Sequence, residues 1–344
     1  MKRILYYITD HGRGHATRSI AIIRDLLKKD FEVIVRNSNV KTFLENSLPG
    51  TNIISGITDV GPTINKDGIS IDRENSKKNI GHWLDQINEV SKLECDKIAK
   101  YSPDLIMSDI SAMPFLVAAN LKKPSIAISN FSWYDVLGDI LSDQQLLILK
   151  NAYDVADLLI QLPLGTSMDH FKIKKRVGFV CRTPTNNKME LRRKIGLKKS
   201  ELGVFVALGQ QSENEISTNC DDNVKIITTE TKVKNKTNLI SLPGWIEGQD
   251  LVAASDLVIC KCGYGIISEC ITNGTPFLYI LDDNHKEQRS MYDSLLKKGL
   301  KNRTTFEEIN NIHLSNDLIQ KISQPIKEEI DNNAVIKYVS EILR

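Results

Sequence analysis

The amino-acid sequence predicts an α/β protein of two doubly wound, parallel-sheet domains that face each other across a cleft. Its 344 residues are too many for one ordinary core and suit two domains. Both halves alternate short apolar runs with longer amphipathic stretches, which is typical of parallel strands joined by helices. Each half also carries glycines directly after a buried apolar run, where such sheets bind ligands. The predicted domains are residues 1–180 and 181–344.

Five apolar runs of the N-terminal half predict strands, at residues 3–8, 32–36, 105–108, 125–129 and 158–162. The third and fourth are nearly continuous in apolar residues, as expected of strands covered on both faces. Amphipathic patterns predict helices at residues 18–29, 80–100 and 113–121. Residues 56–76 contain Gly, Asp, Pro and Asn without any period, and they predict a long functional loop.

A second α/β series follows the segment 182–188, whose Pro, Thr and Asn predict a hinge. Its predicted strands are 204–208, 225–229, 238–242, 257–260 and 277–280, and its predicted helices are 248–254, 265–273, 287–298 and 317–323. Both halves are therefore expected to be Rossmann-like. The final predicted helix, 331–343, either stays with the second domain or returns to the first.

Composition and charge exclude several classes of protein. The net charge of +2 arises from 45 basic and 43 acidic residues scattered along the chain, which argues against a nucleic-acid partner. The sequence has no run of 18 apolar residues and no apolar leader segment, so we expect a cytoplasmic protein without a spanning helix. Its six cysteines lack paired C-x-x-C spacing and predict small buried hydrophobes rather than a metal site or disulfide frame.

The most informative motif of the C-terminal half follows the predicted strand 257–260. Gly263 and Gly265 allow the backbone to approach a ligand, and the N–H groups of Gly265, Ile266 and Ile267 begin a helix there. A helix N-terminus favours a phosphate or diphosphate, and Lys261 adds a positive charge.

One helical turn further on, Glu269 is placed to accept hydrogen bonds from ribose hydroxyls. The alternative is a plain strand-to-helix turn with Glu269 as a surface residue. The longer constellation, with Gly274-x-Pro276 and a Glu287-Gln288 pair, favours the binding interpretation.

The N-terminal loop from His11 to His15 joins the first strand to the first helix, and Gly12 and Gly14 lie within it. Such a loop lies at the carboxyl edge of a parallel sheet. A dinucleotide-binding loop would need a third glycine where Thr17 stands, so that interpretation is disfavoured.

Four segments together resemble the GT-B glycosyltransferases: residues 6–18 (YYITDHGRGHATR), 108–109 (SD), 130–133 (NFSW) and 263–269 (GYGIISE). All four are similar to the glycosyltransferase-like N-terminal half of plant L-arabinokinases. The 263–269 turn also resembles plant small-molecule glycosyltransferases and the bacterial lipid-linked N-acetylglucosaminyltransferase of peptidoglycan synthesis. The ATP motif of a sugar kinase is absent from the sequence.

This resemblance implies that His15 is the general base for the acceptor hydroxyl and that Asp109 orients it. Imidazole is suited to proton transfer near neutral pH, and a carboxylate behind it would fix the tautomer. Two alternatives stay open: His15 as a phosphate or backbone ligand, and Asp109 as the N-cap of the helix at residue 113. His11 is expected to line the acceptor pocket.

The resemblance also implies roles along the donor side. Trp245 would border the nucleobase, or instead fill the core, and Arg182 would approach the diphosphate. The donor sugar would be held by four residues, namely Asp282, Asp283, Glu287 and Gln288. The loop that begins at Gly209 has fewer glycines than is usual in the family, and Ile266 replaces a common Thr; both changes weaken phosphate contacts through side chains.

The expected activity is inverting transfer of a sugar from a nucleoside diphosphate, most simply UDP, to a small-molecule or lipid-linked hydroxyl. No cofactor and no metal is expected, because helix dipoles and N–H groups can carry the leaving-group charge. A lipid-linked acceptor would imply peripheral membrane contact. The alternatives are a nucleotide-sugar epimerase or hydrolase of the same fold, and a non-catalytic nucleotide-sugar-binding protein.

Overall fold

The computed structural model describes residues 1–209, 215–234 and 236–344. These residues form two compact units. The first unit consists of Met1–Thr63, Asp72–Cys181 and Ile330–Arg344, and the second of Ile64–Ile71 and Arg182–Glu329. The chain therefore passes between units beside the predicted boundary at residue 180. Neither unit is one continuous segment of the chain: Ile64–Ile71 belongs to the second unit, and Ile330–Arg344 belongs to the first.

The described residues form thirteen strands: β1 (Arg3–Ile8), β2 (Glu32–Arg36), β3 (Asn52–Ile54), β4 (Leu105–Asp109), β5 (Ser125–Ser129), β6 (Leu158–Gln161), β7 (Lys174–Arg176), β8 (Leu202–Ala207), β9 (Asn219–Cys220), β10 (Val224–Thr228), β11 (Leu257–Lys261), β12 (Phe277–Ile280) and β13 (His313–Leu314).

The helices are α1 (Arg13–Leu27), α2 (Lys41–Ser47), α3 (Arg73–Ile98), α4 (Met113–Leu121), α5 (Trp133–Val136), α6 (Asp143–Asp154), α7 (Lys188–Lys194), α8 (Gly248–Ala254), α9 (Tyr264–Asn273), α10 (Lys286–Lys297), α11 (Phe306–Asn311), α12 (Asn316–Lys321) and α13 (Asn332–Ile342), and a 3₁₀ turn, Ala99–Tyr101, extends α3.

The first unit is built on a seven-stranded parallel sheet in the order β3-β2-β1-β4-β5-β6-β7. Strand β4 is buried along its whole length, as its apolar sequence predicts for a sheet covered on both faces. The strand order reverses between β1 and β4, which pair with Ile8 opposite Asp109. Parallel sheets bind ligands at the carboxyl ends of the strands at such a switch point.

The second unit has a four-stranded parallel sheet in the order β10-β8-β11-β12, and a small parallel pair, β13-β9. Its own switch point lies between β8 and β11, where Cys260 pairs with Ala207. Gly209 and Lys261 lie at the carboxyl ends of these two strands. Each unit therefore has one switch point, and a predicted binding motif lies at each.

The C-terminal helix α13 packs on α1 in the first unit. The Asn332 side chain donates to Asp25 and to the Cys181 carbonyl, at 3.1 Å each. Asp331 Oδ2 accepts from the Gly178 N–H at 2.8 Å. The last helix therefore returns to the first unit, the alternative that the sequence left open.

Two sequence predictions about elements are wrong. The segment 238–242 forms a single bridge, Leu239 to Ile226, instead of a strand, because its first residues belong to a turn in which the Leu239 N–H donates to Lys236 O at 3.3 Å. The loop expected at 56–76 ends earlier, since α3 begins at Arg73. The Asp72 carboxylate accepts the Asn75 N–H at 3.0 Å, a helix N-cap that outweighs the polar composition there.

Candidate active site

His15 lies in the first turn of α1, after Gly12, which has a φ of 75° at the N-cap. A positive φ favours glycine, so this residue lets the chain turn sharply from β1 into the helix. The turn places the imidazole Nδ1 of His15 3.2 Å from Oδ1 of Asp109, at the end of β4. The structure thus brings together the two residues predicted as base and orienting carboxylate.

Asp109 does not cap the next helix. The N-cap of α4 is Ala112, which makes no side-chain cap, whereas the Asp109 carboxylate faces α1. There it accepts from Ser19 Oγ at 2.8 Å and from two nitrogens of Arg18, Nε at 2.8 Å and Nη2 at 2.6 Å. The N-cap alternative for Asp109 is therefore wrong.

Arg18 is a site residue that the sequence motifs did not single out. Its side chain is only 1% exposed, and its Nη1 donates to Asn130 Oδ1 at 2.6 Å. Burial disfavours the Asp109 carboxylate, but the charge and hydrogen bonds of Arg18 prevail and lower the pKa of Asp109 to about 2. The signal was present in the sequence, because Arg18 follows His15 by three residues and so shares its helix face.

Arg18 also restricts the tautomers of His15. Its Nη2 lies 2.9 Å from His15 Nδ1, so this ring nitrogen either accepts from Arg18 or donates to Asp109. A neutral imidazole carries its proton on one nitrogen only. Donation from Nδ1 to Asp109 leaves Nε2 with a free lone pair, and this tautomer is the one able to take a proton from a hydroxyl.

The segment 130–133 packs around both histidines. Phe131 contacts His15 with ring centroids 5.8 Å apart, and Trp133 contacts His11 edge-on at 5.4 Å. The Trp133 indole N–H donates to the buried Asp59 carboxylate at 2.8 Å. Burial raises the pKa of Asp59, and the hydrogen bonds that it accepts from Trp133 and Thr9 oppose this. The predicted loop at 56–76 therefore contributes a buried carboxyl group that is hydrogen-bonded to Trp133.

Backbone geometry is strained next to this cluster. Ile110, directly after Asp109, has a φ of 69°, which is rare for a β-branched residue. Its carbonyl accepts from the Tyr153 hydroxyl at 2.6 Å, which helps to hold the turn. Such strain is found at functional sites, where surrounding contacts fix one conformation.

In the second unit, α9 begins at Tyr264 and Gly263 is its N-cap without a side-chain cap. A Cβ atom on Gly263 would meet no atom within 4 Å, so the space before the helix is open. The first-turn N–H groups of a helix lack intrahelical acceptors. One prediction is wrong here: the Ile267 N–H donates to Gly263 O at 3.2 Å and belongs to the helix, so Gly265 and Ile266 are the two of the three residues that stay predicted phosphate donors.

Lys261 ends β11, two residues before this N-cap. Its ammonium donates to the carbonyl of Gly68, and a Cβ atom on Gly209 would lie 3.4 Å from its Nζ. Burial lowers the pKa of Lys261, and the nearby Asp67 carboxylate opposes that shift. Gly209 has a φ of 80°, and the rest of the predicted loop, residues 210–212, lies outside the described residues.

Glu269 is not a surface residue, because it is 2% exposed. Its Oε1 accepts from Arg182 Nε at 2.9 Å, and burial raises its pKa while Arg182 opposes the shift. Arg182 Nη1 has no hydrogen-bond partner among the described residues and lies 3.9 Å from Glu247. The plain-surface alternative is therefore wrong, and the structure joins two predicted donor-side residues in one buried ion pair.

Trp245 is 52% exposed, which excludes the alternative of a core residue. The four predicted donor-sugar residues follow β12. Gln288 Oε1 accepts from the Asp282 N–H at 2.8 Å, and Asp283 pairs with Arg289 at 2.8 Å and with Arg303 at 2.5 Å. Asp283 is therefore held by two arginines, whereas Glu287 lies in the first turn of α10.

Two parallel-sheet units, each with a predicted binding motif at its switch point, are typical of the GT-B class of proteins. The model of glycosyl transferase family 1 matches residues 2–179, and the chain belongs to that family. Arabidopsis thaliana L-arabinokinase is 25% identical over 296 residues, which cover 82% of this chain. The chain spans 28% of the length of that relative.

Solved structures share the fold. Arabidopsis thaliana UGT89C1 complexed with UDP-L-rhamnose has a TM-score of 0.63 and 14% identity, with 100% of both chains covered. Streptomyces SsfS6 complexed with thymidine diphosphate has a TM-score of 0.61 and 12% identity, over 99% of this chain and 100% of that one. Acinetobacter baumannii MurG has a TM-score of 0.53 and 14% identity, over 99% and 100%.

Within the described ranges, every helix is too short or too polar to cross a membrane.

Proposed function

We propose that the protein is an inverting glycosyltransferase that uses a nucleoside diphosphate sugar, with UDP as the first nucleotide to test. The observation that carries this proposal is the buried His15–Asp109 contact of 3.2 Å at the switch point of the first unit. Family membership supports the same activity, and relatives of the same fold bind UDP-L-rhamnose or thymidine diphosphate.

In the proposed reaction, His15 Nε2 takes the proton of an acceptor hydroxyl as its oxygen attacks the anomeric carbon. The bond from that carbon to the diphosphate oxygen breaks, and the diphosphate leaves with both electrons. Asp109 stabilises the imidazolium through Nδ1, although Arg18 already neutralises part of its charge. This division of roles follows the logic of a catalytic triad without a covalent intermediate.

The leaving diphosphate would be stabilised by the N-terminus of α9 and by Lys261. Helix N–H groups and one ammonium group can stabilise the negative charge of the diphosphate without a metal. Asp282, Glu287 and Gln288 would bind donor-sugar hydroxyls, and exposed Trp245 would stack on the base. The proposed acceptor is a small-molecule or lipid-linked alcohol. The proposed location is the cytoplasm, with or without peripheral contact with the membrane.

The donor half is tested by isothermal titration with UDP. Lys261→Met should weaken UDP binding about tenfold or more, the scale for losing a hydrogen bond to a charged group, and should leave uridine binding unchanged. Lys301→Met, a change at an exposed lysine of the same unit, is the matched control. Equal UDP affinity in all three proteins would refute the donor site.

The reaction itself is tested by incubating the protein with UDP-sugars, with and without a panel of alcohols. Release of UDP that depends on the alcohol supports transfer. Consumption of the UDP-sugar without any alcohol would indicate an epimerase or hydrolase instead, and binding without consumption would indicate a nucleotide-sugar-binding protein.

A further inference from the structure

Residues Ile64–Ile71 come from the N-terminal part of the chain but belong to the second unit. They form a small hairpin: Ile64 and Ile71 make an antiparallel bridge, and the Asn65 N–H donates to Ser70 O at 2.9 Å. Residues 64–71 are called the hairpin from here on. Its place in the second unit is unexpected from sequence order, because residues on either side belong to the first unit.

The tip of the hairpin is ordered by its own side chains. Asp67 Oδ1 accepts from the Ile69 N–H at 2.8 Å and from the Ser70 N–H at 2.9 Å, and its Oδ2 accepts from Ser70 Oγ at 2.5 Å. This is an Asx turn, in which an aspartate replaces a backbone acceptor. Gly68 has a φ of 73°, which glycine adopts without strain.

The hairpin is anchored by Ile69. This side chain is 7% exposed and belongs to the hydrophobic core of the second unit, with Val206 and Ile259 of β8 and β11. Beside this anchor, the Gly68 carbonyl accepts a hydrogen bond from Lys261 Nζ. The anchor and the turn therefore fix a carbonyl oxygen at the ammonium group that precedes the N-terminus of α9.

Resting on the proposed function, we infer that the hairpin positions Lys261 for the donor diphosphate and that Ile69 and Asp67 are positioning residues for donor binding. An ammonium has three N–H donors, so one bond to a carbonyl leaves two for phosphate oxygens. A neutral carbonyl also leaves the positive charge available. The Asp67 oxygens accept hydrogen bonds within the turn and so hold the tip of the hairpin in place.

Holding a long side chain in one conformation before the ligand arrives reduces the entropy lost on binding. A lysine has several rotatable bonds, and its ordering otherwise opposes association. The hairpin thus supplies affinity for a phosphate group without itself touching the nucleotide.

The test measures UDP and thymidine diphosphate binding to the full chain by isothermal titration. Ile69→Ala should weaken binding of the diphosphate on the order of tenfold. Uridine binding should not change, and Ile69→Val should restore most of the affinity. Lys261→Met combined with Ile69→Ala should bind no more weakly than Lys261→Met alone, because the two changes remove one interaction.

If Ile69→Ala does not fold, Ser70→Ala replaces it, since that change removes the Ser70 Oγ bond to Asp67, loosens the turn, and leaves both the core and the charges near Lys261 intact. Additive effects of the hairpin and Lys261 changes would overturn the inference, and so would tighter diphosphate binding in a hairpin variant. Wild-type protein that binds neither diphosphate would refute the proposed donor and this inference together. Binding that hairpin variants leave unchanged would refute the inference alone.

Discussion

At the scale of single residues, the proposed chemistry of the first unit depends on which groups contact the Asp109 carboxylate. Its carboxylate accepts from Arg18 and Ser19 and lies 3.2 Å from His15 Nδ1 within one buried cluster. A charged guanidinium holds the carboxylate ionised and in a fixed orientation. The carboxylate can then fix the tautomer of His15. It does so through the direction of its hydrogen bond, because Arg18 already offsets much of its negative charge.

His15→Ala should reduce transfer about a hundred- to ten-thousand-fold, the usual loss when a general base is removed. UDP affinity should stay close to that of the wild type, because the proposed donor residues belong to the second unit. Turnover and titration of the same protein samples measure the two effects. His82→Ala, at an exposed histidine of α3, is the matched control.

A parallel loss of UDP affinity in His15→Ala would instead make His15 a phosphate ligand, the alternative that the sequence left open. Unchanged turnover would show that the residue has no catalytic role.

The sequence predicted part of this cluster. The positions of His15 and Asp109 follow from their places after neighbouring strands, since carboxyl ends of parallel strands share one edge. Asp59 was not assigned, because its role depends on which side chains meet across the sheet edge. Arg18 was not assigned, although its spacing of three residues from His15 places both on one helix face. Glu269 was expected to be open to a ribose, and its buried contact with Arg182 depends on tertiary packing that no local pattern specifies.

At the scale of elements, a buried ion pair joins β2 to α3. Arg36 donates from Nε to Glu94 Oε1 at 2.6 Å and from Nη2 to Oε2 at 2.7 Å, and Tyr7 of β1 donates to the same carboxylate at 3.1 Å. This explains why the second strand ends in arginine, where a dinucleotide-binding fold would have an acidic residue.

Glu94→Gln should lower the free energy of unfolding by about 3–5 kcal/mol, because it leaves the buried Arg36 guanidinium without its countercharge. Urea denaturation followed by circular dichroism measures the change. Glu89→Gln, at an exposed site on the same helix, should have little effect. Replacing both partners, as Arg36→Met with Glu94→Leu, should recover most of the stability; a double variant as unstable as Glu94→Gln would contradict this account.

Strand and helix positions were the best predicted features at this scale. The strands β1, β2 and β5 have the bounds expected from their apolar runs. The errors are local: an N-cap aspartate extended α3, and a turn from Lys236 to Leu239 took the start of the strand expected at 238–242. The hairpin was treated as loop, because its anchor depends on a core formed more than a hundred residues later in the chain.

At the scale of the whole molecule, the GT-B fold follows from the strand orders of two parallel sheets, and the sequence predicted that class correctly. The return of α13 to the first unit could not be predicted, since an amphipathic helix fits many apolar surfaces. Its Asn332 contacts with Asp25 and Cys181 are specific, yet they join positions far apart in the chain.

Acid should destabilise the fold in two separate steps. His170 is surrounded by Tyr134, Tyr153 and Phe171, and neither of its ring nitrogens has a hydrogen-bond partner among the described residues. Burial lowers the pKa of His170 from its ordinary value of 6.5, although Asp135 and Asp154 oppose the shift. The unfolded chain then binds a proton more readily than the folded one, so stability falls as the pH decreases from about 6.5.

Asp109 contributes to the second step, at lower pH, together with Asp104 and Asp256, whose pKa values are also lowered. Its folded pKa of about 2 lies below the ordinary value of 3.8, so its contribution is present above that value and is lost as the pH falls toward 2. Urea denaturation of the wild type and of His170→Phe, compared from about pH 7.5 to pH 5, isolates the first step, because the other titrating groups are common to both proteins. We expect His170→Phe to lose less stability over that range, with His82→Phe as the control. Equal slopes for the wild type and His170→Phe would show that the imidazole is protonated equally well in the folded and unfolded chains.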